Sequence, residues 1–372
     1  MKRRDFVTQI ALGATLGGTL AACRKQQSDA KKPSAAPPPR DKKVLWRLAS
    51  SFPRGLDTIY GAAETLSRQV EAMSGGNFRI RCYPAGEIVP GLQVMDAAQQ
   101  GTVQVGHTAG YYYVGKHPAF AFDTAVPYGL SGRQQVAWLL EGGGEQALAP
   151  LFADFNLVRF FGGCTGAQMG GWFKRPVESV GDLKGLKMRI PGLGGDVMSR
   201  LGVTVQVLAG GDIYPALERG AIDATEWIGP YDDEKLGFFK VAQHYYYPGW
   251  WEPGPSLSYY VNKRAWESLS REHQAMFSEA AHVSGLRMQA QYDARNPAAL
   301  TRLRKHKINV QPFPDSVMVE AEKHARDLLE GHAAEDPSYR RIYEPWNKYR
   351  MESREWFATA ELAFASFAFK PG

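Results

Sequence analysis

The sequence predicts an α/β protein of two lobes that ends in a long helical region. Three observations predict it. Short apolar, strand-like runs alternate with helical patterns over residues 44–227, joined by short connections. That alternation is the pattern of an α/β layer. The body beyond residue 43 is about 330 residues long, more than one hydrophobic core usually holds. The alternation also runs twice, over 44–158 and over 159–255, before residues 256–372 turn to one strand and long helices.

The chain opens MKRRDFVTQIALGATLGGTLAAC. Arg3 and Arg4 precede Asp5 and Phe6, a small-residue apolar run covers 10–22, and Cys23 closes it. A charged start, a short hydrophobic run and a processing site make an export signal. The run is too short to span a bilayer. The paired arginines predict a twin-arginine signal over 1–23. Leu20-Ala21-Ala22-Cys23 has the form of a lipobox, which would make Cys23 the lipidated first residue of the mature chain. An ordinary secretory signal cut nearby would leave Cys23 incidental. Residues 24–43, RKQQSDAKKPSAAPPPRDKK, predict a disordered polar tether. The expected location is the periplasm, with membrane contact only through the N-terminal lipid.

The tether also changes the meaning of the charge. Residues 1–43 carry a formal +7 and the whole chain +6, so 44–372 sum to −1. The body therefore lacks the basic net charge of a nucleic-acid binder. Its two cysteines are Cys82 and Cys164. An oxidising compartment permits a disulfide, but the sequence leaves open whether the two meet.

In order along the body, 44–50 predicts a strand, 62–73 a helix, 78–83 a strand, 92–100 a helix and 102–107 a strand. The aromatic runs 109–113 and 120–128 suit either a binding wall or packing between lobes. A helix is expected over 133–151, ending near Pro150, then a strand over 157–161 and extended chain over 168–173. In the second lobe, strands are expected over 187–190, 203–207 and 221–227, with helices over 196–201 and 212–219. Beyond the aromatic segment 245–255, residues 256–261 predict a strand and 263–269 a short helix. Residues 271 to about 307 predict a long helix interrupted or bent around Pro297, and 318–331 and 338–369 further helices. Phe357, Leu362, Phe364, Phe367 and Phe369 give the tail enough apolar surface for a dimer interface or for packing on the lobes.

Four side chains carry the chemistry. Arg189 ends a strand-like KMRI run just before Pro-Gly. Strand ends beside a crossover are where open α/β sheets bind ligands, and a guanidinium suits a carboxylate. Gln168 lies in the glycine-rich stretch 163–173 and offers an amide. Glu226 and Glu252 are each set among bulky aromatics, where a buried carboxylate needs a cation or takes a proton. Two carboxylates and an amide oxygen favour a hard cation over zinc; carboxylates on helix caps or at the rim of a cleft are the other reading. Hydrolase motifs such as Gly-x-Ser-x-Gly and His-Glu-x-x-His are absent. So is the P-loop pattern.

The segments 163–173 (GCTGAQMGGWF), 182–192 (DLKGLKMRIPG), 210–238 (GGDIYPALERGAIDATEWIGPYDDEKLGF) and 245–254 (YYYPGWWEPG) carry a family resemblance. Over about residues 44–365 the chain resembles the periplasmic solute-binding subunits of tripartite ATP-independent periplasmic (TRAP) transporters, in the branch that takes 2-oxo and 2-hydroxy monocarboxylates. The resemblance implies a two-lobed periplasmic-binding-protein fold with a hinge-crossing cleft and a long helix across both lobes. It implies that Arg189 clamps the substrate carboxylate. It also implies that Gln168, Glu226, the Trp227 main chain and Glu252 hold a calcium or sodium ion. Tyr111, Tyr112, Trp172 and Trp250 are expected to wall the site. The implied role is capture of an organic acid anion and delivery to TRAP membrane subunits, without catalysis. Two readings stand beside it: the same fold binding a dicarboxylate or an amino-acid derivative such as pyroglutamate, and an exported enzyme acting on a small organic acid or sugar.

Overall fold

The computed structural model describes residues 43–370. The twin-arginine signal, Cys23 and all of the tether except Lys43 lie outside the described residues. Among the described residues no helix is long and apolar enough to cross a membrane.

Eleven strands are described, β1 (Val44–Ser50), β2 (Phe78–Tyr83), β3 (Val105–Thr108), β4 (Leu157–Cys164), β5 (Trp172–Phe173), β6 (Lys187–Arg189), β7 (Thr204–Gln206), β8 (Ala224–Thr225), β9 (His244–Tyr247), β10 (Ser256–Asn262) and β11 (Asn309–Pro312). They form two sheets. The first runs β2-β1-β3-β10-β4 and the second β11-β9-β5-β8-β6-β7. Strands β1, β2 and β3 pair in parallel, while β10 is antiparallel to both β3 and β4. Every residue of β3 and β10 is buried, as expected of central strands covered on both faces.

The helix Arg271–Leu303 ties the lobes together. It packs on helix Ile59–Met73 and β4 of the first lobe and on helix Pro230–Leu236 of the second. Ser270 caps it by accepting from the His273 amide at 3.2 Å. Ala280, Ala281, Ser284 and Gly285 are buried along its contact face, and at Gly285 a Cβ would fall 2.6 Å from the Phe161 ring. Small residues there let the helix approach β4 closely.

Several expectations are corrected. The helix expected over 133–151 is two, Gly132–Leu140 and Gly144–Asp154. Gly143 between them has φ +86°, open to glycine at little cost. Pro150 lies inside the second helix instead of ending it. The long helix runs through Pro297 to Leu303, because its buried contacts on both lobes hold the backbone on either side. Of the extended chain expected over 168–173, only β5 pairs. The boundary drawn at residue 159 passes through β4, which hydrogen-bonds to β10 in the first sheet along its whole length. The terminal region supplies a strand as well as helices: β11 joins the second sheet beside β9. Cys82 and Cys164 are free thiols.

Candidate functional site

Strand pairing sets the first contact. β6 and β8 run in parallel with Arg189 opposite Thr225, so the next residue, Glu226, falls beside the Arg189 side chain. The guanidinium pairs through Nη1 with Glu226 Oε1, and donates to the Glu226 carbonyl at 3.2 Å and from Nε to the Leu208 carbonyl at 3.1 Å. Its carbon lies 5.2 Å from the centre of the Trp227 ring, close enough for a cation–π contact.

Gln168 and Glu252 are brought in by backbone contacts. The Met169 amide donates to the Ile228 carbonyl at 3.0 Å, fastening the 168–169 segment to the chain that follows Glu226. The Gly249 amide donates to the Gln168 carbonyl at 2.9 Å and the Gln168 amide to the Glu252 carbonyl at 3.3 Å. A Cβ at Gly249 would sit 2.7 Å from the Met169 carbonyl oxygen, so this approach requires glycine. Gln168 is thereby held between the segments that carry the two glutamates.

Arg189, Glu226, Glu252 and Gln168 are all buried, at 1, 0, 2 and 4% exposure. Two carboxylates thus share one guanidinium away from water. Burial raises the Glu226 carboxyl to about 7; Arg189 opposes the rise and Asp233 adds to it. Burial lifts Glu252 well above the carboxylate range, the charge of Glu226 lifts it further, and Arg189 offsets part. Both shifts express too little positive charge for two buried carboxylates.

Three buried atoms of this group have no protein partner: Arg189 Nη2, Gln168 Oε1 and Glu226 Oε2. Gln168 Nε2 donates to Thr165 Oγ1 at 3.3 Å, which commits the amide nitrogen and leaves its oxygen to accept. One spare donor and two spare acceptors suit an anion and a cation together. The donors are oxygens only, as hard cations require. Among the described residues no three His, Cys, Asp or Glu side chains converge. A cation shell here therefore needs the amide, main-chain or ligand oxygens beside the two carboxylates.

A small cavity of about 10 Å³ is lined by Tyr111, Tyr112, Thr165, Gln168 and Trp227, with Phe52, Ile59, Ile228, Pro255 and Leu257 completing it. That is about the room one water needs and far below the roughly 300–1,000 Å³ of drug-sized sites, so the lobes are closed tightly here. The Tyr111 hydroxyl reaches Glu252 Oε2 at 3.4 Å, and a Cβ on Gly192 would meet Tyr111 Cβ at 2.8 Å. The two lobes are thus in contact across the cleft. Burial drives Tyr111 well above its ordinary value and Tyr112 to about 12, so both keep their hydroxyl protons.

The site brings together Gln168, Arg189, Glu226, Trp227, Glu252, Tyr111 and Tyr112. Trp172 and Trp250 do not line the cavity, nor do Arg189, Glu226 and Glu252, but unlike those three the tryptophans are held by other partners. The Trp172 indole donates to Asp233 Oδ2 at 3.0 Å and stacks on Tyr245 at 4.0 Å. Trp250 stacks on Tyr128 at 5.2 Å and meets Trp251 edge-on. Both are committed to packing. Sequence reasoning missed Thr165, although it lies in the stretch that pointed to Gln168. It also missed Phe52 and Ile59, whose apolar side chains carry no local signal and reach the cavity only through the tertiary fold. The buried pair Asp232 and Asp233 was missed too; Asp233 fixes Trp172 and accepts from the Ile228 amide at 3.4 Å.

Residues 50–336 match the model of bacterial extracellular solute-binding protein family 7, DctP. A monocarboxylate 2-oxoacid-binding periplasmic protein of Nostoc sp. is 51% identical over 99% of both chains. The fold is similar to a TRAP transporter solute-binding protein of Bordetella bronchiseptica, a dimer with calcium and picolinate in its active site. That similarity has a TM-score of 0.87 and 46% identity over 88% of this chain and 98% of the other. It is also similar to a TRAP periplasmic solute-binding protein of Pseudoalteromonas atlantica with bound sodium and pyruvate. There the TM-score is 0.85, with 35% identity over 88% and 99% of the two chains.

Proposed function

Since the chain belongs to bacterial extracellular solute-binding protein family 7, whose members serve transport and not catalysis, we propose that it captures a 2-oxo or 2-hydroxy monocarboxylate together with a calcium or sodium ion and delivers the acid to TRAP membrane subunits. One observation carries this reading: a buried guanidinium and two buried carboxylates, with one free donor and two free acceptors among them and Gln168. Arg189 Nη2 takes the acid's carboxylate. Gln168 Oε1, Glu226, Glu252 and the Trp227 main chain take the cation, which supplies positive charge and a bridge to the acid's oxygens. Tyr111, Tyr112 and Trp227 exclude water around them.

Charge balance supports a divalent ion. Glu226, Glu252 and the acid bring three negative charges against one on Arg189. Calcium makes the buried set neutral. Sodium leaves one negative charge, which a proton on either raised carboxyl removes. Arg189 is the one cationic side chain in this buried group and leaves no partner for a second ligand carboxylate, which disfavours dicarboxylates.

The comparison with the Nostoc and Bordetella proteins supports the acid, the cation and the transport role. The Bordetella dimer and the exposed tail residues Trp356, Leu362, Phe364, Phe367 and Phe369 support a homodimer. The Leu20-Ala21-Ala22-Cys23 run and the polar tether support a lipid anchor through Cys23. If the anchor exists, Cys23→Ser releases the protein from membrane fractions.

The test is calorimetry on unfolded, stripped and refolded protein. Pyruvate, lactate, longer 2-oxo acids, succinate and pyroglutamate are compared with calcium, with sodium and with neither. Saturable heat with a monocarboxylate, strengthened by cation, is expected. Heat with succinate or pyroglutamate alone would overturn the ligand class.

A further inference from the structure

Asp57 belongs to the first lobe, two residues before Ile59, which begins helix Ile59–Met73 and lines the cavity. Its carboxylate is gripped from across the cleft. The Tyr231 hydroxyl lies 3.1 Å from each of its oxygens, Lys235 Nζ pairs with Oδ1, and Arg295 Nη1 donates to Oδ2 at 3.3 Å. Lys235 also reaches the Gly55 carbonyl at 3.4 Å, and Arg295 reaches Thr58 Oγ1 at 3.0 Å. The Tyr231 ring lies 4.4 Å from Lys235 Nζ and 5.1 Å from the Arg295 guanidinium carbon.

The three partners are tied to one another. Tyr231 and Lys235 lie on helix Pro230–Leu236, which follows directly on the Glu226–Ile228 segment of the site. Arg295 lies on helix Arg271–Leu303. Two bonds fasten these helices: the Tyr231 amide to Asn296 Oδ1 at 3.0 Å, and the Tyr292 hydroxyl to Asp232 Oδ2 at 2.7 Å. One first-lobe carboxylate therefore faces a cationic and hydroxyl cradle built from helix Pro230–Leu236 of the second lobe and from the lobe-crossing helix Arg271–Leu303.

We propose that Asp57 with Tyr231, Lys235 and Arg295 forms a latch that holds the lobes shut over the cavity and slows ligand release. The proposal rests on the binding function above. A lone exposed ion pair contributes little, but here one carboxylate gathers three donors into a network. Opening the cleft would separate Asp57 from Tyr231 and Lys235, its partners on the second lobe. The Asp57 side chain is about half exposed, so salt weakens the latch, with a screening length of about 10 Å at 0.1 M falling to about 3 Å at 1 M.

Asp57→Asn in the full-length mature chain tests it. Spin labels at Ile88→Cys and Val207→Cys, exposed residues facing one groove from opposite lobes, report interlobe distance without any ligand. Asp57→Asn should shift the distances longer at low salt, and 1 M salt should do the same to the unlatched-competent wild type. With pyruvate and calcium, release from Asp57→Asn should be several-fold faster, and that difference should vanish at 1 M salt. Glu234→Gln is the control: Glu234 pairs with Arg302 at 2.6 Å, outside the Asp57 cluster. It should change neither readout. Identical label distances in Asp57→Asn and wild type at low salt, or an equal shift in Glu234→Gln, overturn the latch. Failure of the wild type to bind pyruvate or any other acid overturns the binding reading instead, and the label distances still decide the latch.

Discussion

Arg189 and the two glutamates make opposite demands on the same small volume. Truncating one partner of a buried, hydrogen-bonded charge pair costs about 2–5 kcal/mol. Arg189→Ala should therefore weaken acid binding by about thirtyfold or more in a calorimeter, and Arg189→Lys should fail to restore it, because an ammonium lacks the planar donor pair. Unchanged affinity in either variant would remove the clamp. Protonation gives a second test. Burial holds protons on Asp232 up to about 6 and on Glu226 and Asp233 up to about 7. Between the ordinary carboxyl range and those values, the folded state binds more protons than the unfolded state. These groups therefore lower stability as pH rises through that interval. Measured against Asp233→Asn, the thermal midpoint of the cation-free wild type should fall between pH 5 and pH 7. A difference that stays flat or climbs contradicts the assignment. At this scale much was legible in the sequence. An arginine at a strand end and glutamates among aromatics signal their chemistry by type and neighbours. Phe52 and Ile59 are ordinary core residues by the same criteria, and only their tertiary placement makes them cavity walls.

At the scale of elements, the site depends on how closely backbones approach. Gly171 has φ +83°, and a Cβ there would lie 2.4 Å from the Thr225 carbonyl oxygen. It sits beside β5, which pairs Trp172 with Thr225 one residue before Glu226. Gly171→Ala should cost about 1–3 kcal/mol of stability and disturb binding through Glu226. Gly185→Ala shares the positive φ (+73°) but meets no atom within 4 Å, so it should cost less. Denaturant unfolding of the two variants checks the order. The order of strands and helices was legible because hydrophobic periodicity changes between them. Their ends were less so. The break at Gly143 and the continuity through Pro297 are both decided by packing, which single-residue propensity does not encode. Trp172 and Trp250 show the same limit: an aromatic near a site by sequence can be held away from it by Asp233 and Tyr245, or by Tyr128.

For the whole molecule, two lobes and a crossing helix were legible from length and repeated alternation. The sharing of strands was not. β4 and β10 pair within the first sheet while the chain between them builds most of the second, and β11 returns from the terminal region to its edge. These pairings join segments about 100 residues apart for β4 and β10 and 65 apart for β9 and β11, so no local pattern announces them. The terminal helices leave Trp356, Phe364, Phe367 and Phe369 more than 60% exposed, a larger apolar surface than a solvent-facing helix needs. If a second copy covers it, Phe364→Asp with Phe367→Asp should convert a dimer to a monomer in sedimentation analysis while leaving acid binding intact. A wild-type chain that sediments as a monomer contradicts the dimer.

The central claim is that one cleft holds an acid on Arg189 and a cation between Gln168, Glu226 and Glu252. A crystal grown with pyruvate and calcium, with anomalous scattering recorded for the metal, tests it most directly. The account predicts one calcium bound by Gln168 Oε1 and both glutamates, with the pyruvate carboxylate on the Arg189 guanidinium. Pyruvate bound away from Arg189, or calcium ordered elsewhere with these three side chains unengaged, would contradict it.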